Sequence, residues 1–112
     1  MANLDDLCGA LDALEIAYSV TPYVPEEHGG EPPEIPHVVL MPQSSRADYA
    51  DDREYASAED WDVELYTDFR DFELEGRIKQ ALDDLGLSHP YDYTYISDER
   101  LHLVTYSVEL DF

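Results

Sequence analysis

The chain has 112 residues, and its 6 Lys and Arg against 27 Asp and Glu give a formal charge of −21. That length suits one domain and leaves no room for two independent cores. With 44% hydrophobic and 12% aromatic residues, the chain holds enough apolar material to fold, unlike an acidic disordered tail. The charge excludes a simple nucleic-acid-binding module, which needs clustered Lys and Arg. The longest clean apolar run, Val38 to Met41, is far short of the about 20 residues of a bilayer span. The acidic start Met1-Ala2-Asn3-Leu4-Asp5-Asp6 is not expected to be a signal peptide. The single cysteine, Cys8, cannot make an intrachain disulfide.

Asn3 is a good N-cap, and Asp5 and Asp6 suit the first turn, where the helix dipole favours carboxylates. Leu4, Leu7, Cys8, Leu11 and Leu14 recur at helical spacing and form one apolar stripe. Cys8 lies on that stripe and reads as a small buried hydrophobe. Ile16, Tyr18 and Val20 then alternate with Ala17 and Ser19, which predicts a short strand. From Pro22 to Pro36 the chain carries five prolines, these two included, and the pair Gly29-Gly30, an extended, solvated connection. His37 to Met41 reads as a central strand. Gln43 to Asp60 is polar, acidic and without clear period; it is expected to be a functional loop, a protruding hairpin or a disordered segment.

Trp61 to Thr67 is the clearest strand, with Trp61, Val63 and Leu65 on one face and Asp60, Asp62, Glu64 and Tyr66 on the other. Asp68 or Asp71 can cap the next helix, whose stripe is Leu74, Ile78, Ala81, Leu82 and Leu85. Glu73 with Arg77 and Glu75 with Lys79 are placed as i,i+4 pairs on its wet side. Gly86 is its stop signal, while Gly76 sits inside it at a cost of about 1 kcal/mol. Tyr91 to Ile96 and Leu101 to Leu110 flank the turn Ser97-Asp98-Glu99-Arg100 as a hairpin. On the second of these strands Val104, Tyr106, Val108, Leu110 and Phe112 share a face with His102. The expected architecture is α+β: two helices packed on one face of a mostly antiparallel four- to five-stranded sheet, with long acidic and proline-rich loops, in a single domain over 1–112. Its expected core is Leu7, Leu11, Leu14, Val39, Trp61, Val63, Leu65, Leu74, Ile78, Leu82, Leu85 and Val104.

Catalytic motifs are absent: the sequence has no nucleophile elbow, phosphate-binding loop, dinucleotide fingerprint or zinc-protease helix. The reading is therefore of a non-enzyme without cofactor or metal. His28, His37, His89 and His102 are dispersed and lack the close spacing of a ligand pair. Asp60, Asp62 and Glu64 form a carboxylate row, read either as a solvated face or as a loose cation site, without the glycine or spacing of a calcium loop. Tyr91, Tyr93 and Tyr95 make a row on one strand face, suited to cross-strand packing or to an interface. Tyr49 and Tyr55, in a segment too polar for the core, favour a partner contact.

The run Trp61-Asp62-Val63-Glu64-Leu65-Tyr66-Thr67, then Asp71, then the helix with Glu75, Ile78, Leu82 and Leu85 ending at Gly86-Leu87, resembles small tail-completion proteins of siphophages and prophages. The closing Tyr95 to Leu101, the opening Leu14-Glu15-Ile16-Ala17-Tyr18 and the strand Ile35-Pro36-His37-Val38-Val39-Leu40 extend the likeness over nearly the whole chain. Glu15 departs from it, standing where that family often has glycine, as does the acidic segment Ser44 to Asp60.

The resemblance implies a structural virion protein, a tail terminator or head–tail connector made in the host bacterial cytoplasm and placed at the head–tail junction. It implies a homo-oligomeric ring, commonly a hexamer, that stops tail-tube growth and contacts the tail tube protein and connector proteins. DNA would pass through such a ring without tight binding, and no membrane is involved. The expected lumen wall is Asp60, Asp62 and Glu64, with Asp48, Asp51 and Asp52 as a loop-borne set. The expected subunit interface is Tyr23, Tyr49, Tyr55, Tyr91 and Tyr93. Both long segments, Thr21 to Pro36 and Ser44 to Asp60, are expected to order on assembly. The competing reading is an acidic DNA mimic or inhibitor that fills a basic groove of a nucleic-acid-binding protein. Abundant Asp with a single Lys, Lys79, is also compatible with a salt-adapted or GC-rich host.

Overall fold

The computed structural model describes residues 2–21, 34–46 and 58–111, with the side chains of 44–46 left aside. Its elements run α1 (Leu4–Ala13), β1 (Ala17–Val20), β2 (His37–Arg46), β3 (Ala58–Thr67), α2 (Phe72–Asp84), β4 (Tyr91–Ile96) and β5 (Leu101–Asp111). They form a two-layer α+β domain in which both helices pack on one face of a five-stranded sheet ordered β1-β2-β3-β5-β4. β1 is parallel to β2, and every other pairing is antiparallel.

Local chemistry accounts for the helix ends. Asn3 Oδ1 accepts from the Asp6 backbone N–H, and the Asp6 carboxylate accepts from the Asn3 N–H, a reciprocal capping box. The chain leaves α1 with Glu15 at φ 58, its N–H bonded to the Asp12 carbonyl and the Ile16 N–H to the Leu11 carbonyl. This is the Schellman arrangement, normally built on glycine, which explains why glycine suits that position. Gly86 (φ 76) makes the same motif after α2, with Leu87 bonded back to Leu82. Asp71 caps the start of α2 through the Leu74 N–H at 3.0 Å.

The period of two sorts the sheet. Trp61, Val63 and Leu65 of β3 and Val104, Tyr106, Val108 and Leu110 of β5 are buried beneath the helices. Leu7 and Leu11 of α1 and Leu74, Ile78 and Leu82 of α2 complete the same cluster. Buried Tyr106 donates its hydroxyl to the Glu75 carbonyl at 3.3 Å, tying β5 to α2.

Several expectations need correction. Val39 is buried, yet Val38 and Leu40 enter the core, so Val39 points to the opposite face with Glu64, its partner across the ladder. Leu14 and Leu85 are only partly buried. The hairpin strands β2 and β3 extend to Arg46 and from Ala58, so both ends of the segment Ser44 to Asp60 are strand. Glu75 leaves the wet side of α2 and is buried. Phe112 lies outside the described residues.

Leu82 is 1% exposed; Leu82→Ala should cost about 2–5 kcal/mol in chemical denaturation, and a parent-like midpoint would mean that α2 docks differently. A Cβ added at Gly76 meets nothing within 4 Å. Gly76→Ala should therefore raise stability by about 1 kcal/mol through helix propensity alone, measured in the same way.

Candidate functional site: the open sheet face and the β4 edge

Because the helices cover one face only, alternate residues of β2, β3 and β5 emerge on the other, where no helix among the described residues lies. Asp60, Asp62 and Glu64 stand in line on β3, about 7 Å apart at strand rise. Their ladder partners on β5 are Glu109, Ser107 and Thr105. Asp60 thus stands opposite Glu109 on the ladder. Ser107 Oγ donates to Asp62 at 3.4 Å, and Tyr66 Oη donates to Glu64 at 3.2 Å.

These carboxylates are half-buried rather than freely solvated. Burial raises the Asp62 carboxyl above its ordinary range, with a smaller push from Asp60 and a partial offset from the Ser107 hydrogen bond. Burial likewise raises Glu64, aided by the Asp62 charge and opposed by the Tyr66 hydroxyl. Tyr66 itself is pushed up to about 12, first by burial and then by Glu64. The arrangement repels anions and holds protons more readily than isolated carboxylates do. Among the described residues no group of three or more His, Cys, Asp or Glu is placed to hold a metal ion.

The second surface is the β4 edge, on the helix face. Tyr91, Tyr93 and Tyr95 are 49%, 39% and 49% exposed. Cations lie over this row: the Arg70 guanidinium is 4.1 Å from the Tyr93 ring centre and 4.7 Å from that of Phe72, and Lys79 Nζ is 4.4 Å from that of Tyr91. Arg70 is oriented by the buried Glu75, through Nε to Oε2 at 2.8 Å and Nη2 to Oε1 at 3.1 Å. The Tyr93 hydroxyl and His102 Nδ1 lie 2.6 Å apart, and His102 also packs against the Tyr95 ring.

The structure thus brings together Asp60, Asp62 and Glu64 on one face and Tyr91 and Tyr93 on one edge, two separate surfaces. Asp48, Asp51, Asp52, Tyr23, Tyr49 and Tyr55 lie outside the described residues. The Arg70–Glu75 fork escapes a helical i,i+4 reading because Arg70 precedes the helix. The contact of Ser19 Oγ with buried His37 Nε2 at 3.2 Å joins β1 to β2, and nothing in their spacing announces it. Compared with known proteins, the chain matches no family model and no curated protein.

The raised carboxyls fix a sign. In the folded chain Asp62 and Glu64 bind protons at higher pH than when unfolded, so stability rises as pH falls through their folded values. Thermal melting should therefore occur at higher temperature near about pH 5 than near about pH 8, and Asp62→Asn with Glu64→Gln should flatten that slope. A melting temperature that is lower near about pH 5 than near about pH 8 would contradict the assignment.

Proposed function

We propose that the chain is a structural ring protein of a tailed phage or prophage, terminating the tail tube and joining it to the head, with the open sheet face turned to the DNA-filled lumen. The observation that carries this reading is the half-buried carboxylate row on a sheet face that no described helix covers. Such a wall repels phosphate at short range, while screening over about 8 Å at physiological salt limits repulsion across a wide pore. The sequence resemblance to tail-completion proteins supplies the assembly: a hexamer made in the host cytoplasm that contacts the tail tube and connector proteins.

The same row favours a second reading, a monomeric or dimeric DNA mimic whose aligned carboxylates stand in for phosphates. Light scattering separates the two: the ring gives a particle near six times the 12.8 kDa chain, the mimic one or two. Replacing Asp60, Asp62 and Glu64 by Lys should leave the fold intact and make the ring retain linear duplex DNA in a salt-dependent way. A folded triple-lysine ring that retains no DNA would place this face on the outside.

A further inference from the structure

The two edges of the sheet differ in charge and in chemistry. Residues 2–43, which include α1, β1 and most of β2, contain no Lys or Arg at all. The β1 end presents Asp12 and Glu15 exposed, with Val20 39% exposed and Tyr18 half-buried on the helix face. Burial first, then the neighbouring Cys8 and Asp12, pushes the Tyr18 hydroxyl up to about 12, and that contact puts Asp12 on the β1 side of α1. At the opposite end β4 is the other edge strand among the described residues, and Arg70 and Lys79 lie on its tyrosine row.

We infer that the β4 edge of one copy docks beside the β1 edge of the next, its tyrosines and Lys79 meeting Tyr18, Val20 and Asp12 of that neighbour. Charge complementarity selects this occupant: Lys79 on the tyrosine edge of a −21 chain finds its counter-charge at a β1 end whose own residues, 2–43, hold acids and no Lys or Arg. Two different patches joined head to tail make a heterologous contact, which closes into a ring when the rotation allows. Pairing β4 with β4 would set Arg70 and Lys79 against their own copies. With strands side by side, the helix faces of all copies lie on one side of the belt and the carboxylate faces on the other. The contact rests on the proposed ring, and it specifies which surfaces build it.

The test uses the full chain and two surface variants, Lys79→Glu with Tyr91→Ser at the β4 edge and Asp12→Lys with Glu15→Lys at the β1 edge. Sedimentation over a concentration series reads assembly, and circular dichroism reads folding. Each variant alone should raise the concentration for half-assembly about tenfold or more, since like charges then face each other. An equimolar mixture should recover assembly, because each altered end meets its complement in the other variant. If Lys79→Glu with Tyr91→Ser does not fold, Lys79→Glu alone carries the same comparison. Parent-like rings from both variants, or no recovery on mixing, overturn this contact while leaving the ring in place. A parent chain that stays at 12.8 kDa at every concentration overturns the ring and the contact together.

Discussion

Among the described residues both helices cover one sheet face and none covers the other, and most of the structure follows from that asymmetry. Both helices bury their stripes against the same side of the sheet, so Trp61, Val63, Leu65, Val104, Tyr106, Val108 and Leu110 must all point that way. The strand period of two then sends their neighbours to the far side, and on β3 those neighbours are Asp60, Asp62 and Glu64. A chain of −21 has to put its carboxylates somewhere, and here part of them sit half-buried between ladder neighbours. Their raised proton affinity is a cost the helix-side core offsets.

The helix layer is fixed in place by polar contacts as well as by packing. Glu75 serves twice: its carbonyl accepts from Tyr106 of β5, and its carboxylate holds Arg70 over Tyr93 of β4. A buried carboxylate needs such a partner, since an unpaired one is strongly destabilising. The same fork sets the exposed tyrosine edge, so the stability of α2 and the form of the proposed docking surface depend on one side chain.

Much of this was legible in the sequence where a single period dominates. The alternation of β3, the stripe of α2, the two helix N-caps and the Gly86 stop correspond to what the structure shows. The failures have physical reasons. Val38 to Met41 is apolar without interruption, so alternation could not say that Val38 and Leu40, and not Val39, face the helices. Glu75 follows Leu74 at the margin of the apolar stripe, and its partner Arg70 comes from outside the helix, beyond any local pairing rule. Polar residues hid the strand ends at 43–46 and 58–60, where hydrogen bonding between β2 and β3 persists without an apolar face. Of the expected site residues, the β3 carboxylates and the β4 tyrosines could be placed on surfaces because regular strands carry them.

The central claim is that the β3 carboxylate face, which no described helix covers, lines a ring. Its most direct test is a three-dimensional electron-microscopy reconstruction of the assembled particle. The account predicts a closed ring of six copies, with the β3 carboxylate row on the pore wall and the two helices on the outer surface. A ring with the helices facing the pore, or a preparation containing only single chains at high concentration and salt, would contradict it.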